Sequence, residues 1–273
     1  MTSPHPSPAG GTGSTALADP PLLAIERLTL LLGGVQALRE VELAVEPRTI
    51  VGLVGPNGAG KTSLFNCVCG YYPPTSGRVL LGGTDVTHHR PHRLATMGVA
   101  RTFQHPVLQP ETTVLDNVLV GGHTTVEAGP LSYTLRLPRA RRAERALADR
   151  ARDILRYLHV ERLAPTLAGS LSYGGQKRVE LARALMTEPR LLLLDELASG
   201  LAHEEVMDLA GVIRGIRDDL GVGILLVEHH MGMVSAVTDK VVVLVQGTKV
   251  AEGTAADVQR SPVVVEAYLG AAG

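Results

Sequence analysis

Thr49-Ile-Val-Gly-Leu-Val-Gly-Pro-Asn-Gly-Ala-Gly-Lys-Thr62 is the stretch from which the fold can be read. Its first half, ending at Gly55, is an apolar run of the length of a strand buried on both faces. Its second half, Gly55-Pro-Asn-Gly-Ala-Gly-Lys61-Thr62, matches G-x-x-x-x-G-K-[ST], and a helix is expected from Gly60 onward. Glycines in such a loop let successive backbone N–H groups turn inward around phosphate oxygens, and the helix N-terminus adds the positive end of its dipole. Lys61 supplies a point charge to the β- and γ-phosphates, and Thr62 offers a hydroxyl to Mg2+. The stretch predicts a triphosphate-binding domain.

Leu191-Leu-Leu-Leu-Asp195-Glu196 is the second element. A strand there delivers two acids to the carboxyl edge of the sheet beside the phosphate loop, where ligands of open α/β sheets bind. Asp195 would hold Mg2+ through water, and Glu196 would polarise the attacking water as general base. A buried strand ending in acids is common by itself; the glycine-rich loop in the same chain gives this one its functional meaning.

Outward from this centre, LLAIERLTLLL (22–32), VELAV (41–45) and RVLLGG (78–83) read as β-rich, residues 90–97 as helix, VARTF (99–103) as strand and TVLDNVLVGG (113–122) as helix. Between His123 and Val160 come GP and LP breaks and then an Arg-rich helix in which Leu147, Ala151, Ile154, Leu155 and Leu158 form one apolar stripe. Helices from about Ser172 to Thr187 and from His203 to Asp219 follow, with strands GILLVE (223–228) and VVVLVQ (241–246) and a short hairpin through Gly247. Alternation of helices with apolar strands predicts an α/β architecture around a mostly parallel sheet covered on both faces. No internal repeat is visible.

Composition narrows the function. With 45% hydrophobic residues in 273, a sizeable core is possible. A formal net charge of -1 provides no global basic field to hold nucleic acid. The apolar runs at 191–194 and 241–245 stop far short of a membrane span. Cys67 and Cys69, two apart on an expected helix, suit neither a disulfide nor a CxxC metal site and read as small buried hydrophobes, which fits a reducing cytosolic compartment. Residues 1–21, rich in Pro, Gly, Ser and Thr, read as a disordered tail without the pattern of a secretory signal. His88, His89 and His92 read as a solvated loop and helix rather than a metal cluster. The Arg-rich stretch 136–156 reads as a solvated face laced with i,i+4 pairs, with contact to anionic lipid as the weaker reading.

Leu171-Ser-Tyr-Gly-Gly-Gln-Lys-Arg-Val-Glu-Leu-Ala-Arg-Ala-Leu185, just before the LLLLDE strand, resembles the signature of ABC-transporter ATPases. Gln104 in ARTFQ matches that family's Q-loop, and His229 in LLVEHH its switch histidine. The resemblance spans Leu22 to Gly270. LLGGVQAL, GVARTFQ, TVLDNVLVG, LSYG and the terminal VVEAYLG look most like the larger ATP-binding subunit of branched-chain amino acid importers.

The resemblance implies a P-loop NTPase (RecA-like) core with a mostly parallel sheet, an N-terminal antiparallel β subdomain and an inserted helical signature subdomain at about residues 105–188, the whole ATPase domain covering 22–270. It also implies two ATPase chains, as heterodimer or homodimer, paired head to tail around two ATP molecules. In each composite site one chain gives Gly55, Pro56, Asn57, Gly58, Ala59, Gly60, Lys61, Thr62 and Ser63, with Leu32 and Val35 toward the base. The same chain gives Gln104, Asp195 and Thr62 for Mg2+, and Glu196, His229, Gln104 and Lys61 for catalysis; the other chain gives Ser172 and Gly174. The implied partners are two transmembrane permease subunits and an extracytoplasmic substrate-binding protein, with the ATPase peripheral on the cytoplasmic face of the membrane and no nucleic acid bound. The implied activity is ATP hydrolysis coupled to uptake of branched-chain or other small hydrophobic amino acids. Urea, amides or an exported lipid as cargo, and a regulatory ATP-binding subunit with weak hydrolysis, are the alternatives.

Five positions depart from the family pattern. Leu32 replaces the aromatic that stacks on adenine, at a loss of up to about 1 kcal/mol of stacking. Gly175 replaces the usual Gln, Leu197 a Pro, Ala202 an acidic residue or Asn, and His230 an Asp. Gly175 and Ala202 fall where the chain serves its partner's site, so the departures are consistent either with an asymmetric pair, in which the site on this chain's Lys61 and Glu196 carries more of the turnover, or with neutral drift.

Overall fold

The structure is a computed structural model describing residues 20–104, 106–122 and 138–269; most of the expected N-terminal tail and residues 123–137 lie outside the described residues. Two sheets organise the chain. The first is antiparallel, in the order β2 (Val35–Val45), β1 (Leu23–Leu32), β4 (Ser76–Leu81), β5 (Thr84–Asp85). The second has the order β10 (Thr248–Gly253), β9 (Lys240–Val245), β3 (Ile50–Val54), β8 (Gly223–Val227), β7 (Leu191–Asp195), β6 (Val99–Arg101). Within it β9, β3, β8, β7 and β6 pair in parallel, and only the edge strand β10 runs antiparallel. Every residue of β3, β7 and β8 is buried, as continuous apolar runs in a doubly covered sheet require.

The helices are α1 (Lys61–Val68), α2 (Pro91–Thr96), α3 (Val114–Gly121), α4 (Pro138–Tyr157), α5 (Tyr173–Leu185), α6 (His203–Leu220), α7 (Met231–Val237), α8 (Ala255–Arg260) and α9 (Pro262–Leu269). α1 packs with the antiparallel sheet over one face of the parallel one, in a core that includes Phe65, Leu64, Leu38 and Leu53. α3, α4, α5 and α6 join the other core, built with Leu192, Leu194, Ile224 and Leu226. None of the described helices is long and apolar enough to cross a membrane.

The apolar stripe of α4 faces this second core: Ala151, Leu155 and Leu158 are fully buried, with Leu147 and Ile154 packed beside them. Truncating Leu155→Ala removes buried methyl groups from a site with no solvent to fill it, and should destabilise the fold by about 2–5 kcal/mol. A lowered urea midpoint at unchanged slope checks this. The described charges of the same helix pair at i,i+3 instead of i,i+4 (Asp149–Arg152, 3.2 Å; Asp153–Arg156, 2.7 Å), while Arg150 pairs with Glu188 beyond the helix.

β2 begins at Val35, six residues ahead of the VELAV run, because pairing with β1 across Gly33-Gly34 holds residues that are mostly exposed and carry no alternation. α8, α9 and β5 are short elements that no periodicity announced. The register Leu53↔Val227 and Asp195↔Val227 brings the carboxyl ends of β3, β7 and β8 level, so the loops after all three open on one edge.

Candidate active site

The glycine-rich loop leaves β3 at Gly55 and enters α1 through Gly60, which adopts φ 96°. A Cβ at Gly60 would lie 2.7 Å from Ala37 O and 3.0 Å from Leu38 Cδ2, so the antiparallel sheet presses on the loop and only glycine fits. Gly60 offers no side chain to cap α1, which leaves the N–H groups of its first turn, from Lys61 to Ser63, to an anion. Thr62 is exposed on that turn and Ser63 half-buried beside it. Lys61 is buried, and its Nζ donates to Gly55 O at 2.7 Å and Pro56 O at 3.0 Å. Burial pulls its pKa below the ordinary lysine range, with Glu196 and Asp195 acting in the opposite sense.

The acids arrive as the strand predicted. Asp195 is buried at the end of β7, where its Oδ2 accepts from Arg101 Nη2 at 2.8 Å. Glu196, the next residue, has a left-handed backbone (φ 49°), a conformation costly for a residue with a Cβ. Its Oε2 accepts from Gln104 Nε2 and its Oε1 from His229 Nε2, each at 2.7 Å. For this carboxylate to accept both bonds, His229 must present its Nε2–H tautomer. Lys61, Gln104, Asp195, Glu196 and His229 therefore meet at one edge of the sheet.

Among the described residues, Leu32, Val35, Ser172 and Gly174 make no hydrogen bond to the side chains of this cluster, although Tyr173, between Ser172 and Gly174, donates its hydroxyl to Gln104 O at 3.3 Å. Leu32 and Val35 face solvent, 38% and 69% exposed, as paired residues at the tip of the β1–β2 hairpin, with Val35 two residues before the Ala37 that abuts Gly60. Ser172 caps α5, its Oγ accepting from Gly175 N at 3.2 Å, and Gly174 sits so close to Glu205 that a Cβ there would meet Oε1 at 2.8 Å. Among the described residues no hydrogen bond joins Ser172 or Gly174 to the phosphate loop, Glu196 or His229.

Two cations escaped the sequence reading. Arg101 holds Asp195 and, through Nη1, Asn66 Oδ1 at 2.8 Å, with its guanidinium against the Phe65, Tyr71 and Phe103 rings. Lys177 is fully buried on the signature helix; its Nζ donates to Gln104 O and reaches Glu196 O at 3.4 Å, with the Tyr173 ring centroid 5.2 Å away. The available signals were weak: Arg101 lies three residues before Gln104, and Lys177 lies within the signature stretch.

Two departures acquire structural roles. His230 caps α7, its Nδ1 accepting from Met233 N at 3.2 Å, the task an Asp performs at such a position. Leu197 is fully buried in the core. Ala202 precedes α6 with its N–H taken by Glu205 Oε2 at 2.9 Å. Cys67 and Cys69 are buried and their thiols are pushed up to about 12 and about 11, so neither is a reactive thiolate. No cluster of three or more metal-binding side chains occurs among the described residues, and His88 and His92 are exposed.

A sequence profile of the ABC transporter family matches residues 38–199, and one described as a branched-chain amino acid ATP-binding cassette transporter matches residues 248–273. The chain is 40% identical over 252 residues to the high-affinity branched-chain amino acid transport ATP-binding protein BraF of Pseudomonas aeruginosa, covering 92% of this chain and 99% of that one. It is 41% identical, with the same coverage, to the corresponding LivG protein of Escherichia coli. Among solved structures it resembles the ADP conformation of MJ1267, an ATP-binding cassette of an ABC transporter, with a TM-score of 0.79 and 30% identity over 91% of this chain and 98% of that one.

Proposed function

Since the chain belongs to the ABC transporter ATP-binding family, we propose that it is the ATP-hydrolysing subunit of an importer of branched-chain or other small hydrophobic amino acids. The observation that carries the hydrolytic part is the Glu196 carboxylate held between Gln104 and His229 at 2.7 Å each, on the same edge as the phosphate loop. The cargo follows from the similarity to BraF and LivG and from the match of the C-terminal residues.

In this reading the loop N–H groups and Lys61 take the β- and γ-phosphates of ATP. To reach them Lys61 exchanges its loop carbonyls for phosphate oxygens. Leu32 and Val35 offer apolar contact to the base. The oxygen donors Thr62, Asp195 and Gln104 suit Mg2+, which keeps several waters and needs few protein ligands. Arg101 engages Asp195 Oδ2, which leaves Oδ1 as the oxygen that would serve the metal. A divalent metal held there would neutralise charge developing on the phosphates. Glu196 takes a proton from water as the water oxygen attacks the γ-phosphorus; the bond to the bridging oxygen breaks, and ADP and phosphate leave. Gln104 and His229 fix the carboxylate, each through one hydrogen bond at 2.7 Å.

Ser172 and Gly174, at the start of α5, serve the nucleotide of a second ATPase chain in this reading. A head-to-tail pair, two permease subunits and an extracytoplasmic binding protein complete the assembly, with this chain peripheral to the membrane. Residues 22–270 form its ATPase domain and about 105–188 the helical subdomain, a division supported by the packing of α3, α4 and α5 on one another. The retained Glu196, His229 and Gln104 constellation favours turnover over a purely regulatory role. Co-expression with candidate permeases and a second ATPase tests the whole reading: hydrolysis should rise on assembly and again with binding protein loaded with leucine. Turnover indifferent to both would overturn the importer assignment.

A further inference from the structure

Glu228, immediately before the switch histidine, is a carboxylate only 2% exposed. It spends its oxygens on main chain. Oε1 accepts the N–H of Ala198 at 2.7 Å and Oε2 accepts that of His229 at 3.2 Å. Burial pushes its pKa up, and the backbone N–H groups beside it oppose that by favouring the charged form. Ala198 stands two residues after Glu196, in the loop that leaves β7; His229 and His230 begin the loop that leaves β8. One buried side chain thus grips both loops from behind, while Glu196 and His229 touch in front at 2.7 Å.

Glu196 needs such support. Its φ of 49° is maintained by bonds around it: its own N–H to Val227 O at 2.9 Å, Ser199 N to Glu196 O at 3.3 Å, and the Ala198 N–H anchored on Glu228. Glutamine at 228 would match the shape and lack the chemistry, because its one oxygen can accept while its amide nitrogen turns donors toward another donor.

We propose that Glu228 is a positioning residue for hydrolysis, fixing the separation and approach of the Glu196 carboxylate and the His229 imidazole by accepting backbone N–H groups from both of their loops. The proposal rests on the reading of Glu196 and His229 as the hydrolytic pair, and the test keeps the two apart. In the full-length chain within its assembled transporter, Glu228→Gln should lower kcat by on the order of 10–100-fold. ATP affinity should change less than about threefold, since the phosphate loop is untouched. In a His229→Ala background the further loss caused by Glu228→Gln should shrink to below about threefold, the non-additivity of residues acting as a unit. A Glu228→Gln enzyme at the wild-type rate while Glu196→Gln has collapsed, a loss equal in both backgrounds, or a defect confined to ATP affinity would overturn the proposal. Wild-type turnover by Glu196→Gln itself would overturn the hydrolytic reading and the proposal with it. Should Glu228→Gln not fold, Glu228→Asp keeps the charge but is a methylene too short to reach both loops, and the same outcomes decide.

Discussion

Exchanging Glu196 for Gln is expected to lower steady-state ATP hydrolysis by on the order of 10²–10⁴-fold, the contribution of a positioned general base. The substitution is isosteric, so the loss comes from two chemical changes. The amide cannot take a proton from water. It also has one acceptor oxygen where Gln104 Nε2 and His229 Nε2 each need one, so one of the two bonds at 2.7 Å must break or reverse its donor. Lys61 and the glycine loop are separate contacts, and ATP affinity should stay within about threefold of wild type. Phosphate release and equilibrium ATP binding, measured side by side, check the split. A fall in affinity matching the fall in rate would assign Glu196 to binding and leave the base unidentified.

Replacing Lys61 with Met should weaken ATP binding by about 10–100-fold, the loss of one charge-assisted hydrogen bond of roughly 1.5–3 kcal/mol. Methionine keeps the buried stem filled, so the effect reports the ammonium and not a cavity. Stability without nucleotide should change little, because two effects oppose. The bonds to Gly55 O and Pro56 O are lost, but a cation whose pKa is pulled down by burial no longer needs to be desolvated. The upward shift of the melting temperature by ATP, which follows ligand concentration over Kd, should shrink at fixed ATP concentration. An unchanged ATP-induced shift would remove Lys61 from the phosphate site.

The site was legible where chemistry and chain order coincide. Gly55 to Thr62 is a local device: eight consecutive residues between a strand and a helix create the cradle, and the strand LLLLD carries its acids to the sheet edge because a buried parallel strand has only that end to offer. Gln104, His229, Ser172 and Gly174 were reached through the family resemblance, since a lone Gln, His or Ser carries no signal of its own. His230 looked like a departure and is a substitution within one role, because a ring nitrogen and a carboxylate oxygen can both accept the N–H that starts α7. The C-terminal helices α8 and α9 stayed illegible because AADVQR has a single buried apolar residue, Val258, and PVVVEAYL opens on a β-branched run that reads equally as strand.

By itself the sequence determined the α/β class, a G-x-x-x-x-G-K-T loop between a strand and a helix, and a buried strand that ends in two acids, because each follows from residues within one or two turns or strands of each other. Only the tertiary structure decided which distant groups hold those acids in place. Arg101 and Asp195 are 94 positions apart, Lys177 and Gln104 are 73, Glu196 and His229 are 33, and Ala198 and Glu228 are 30. Such pairs leave no periodicity in the chain. They exist because the register of β3, β7 and β8 brings their ends level, and because a buried charge must find a partner wherever the fold supplies one.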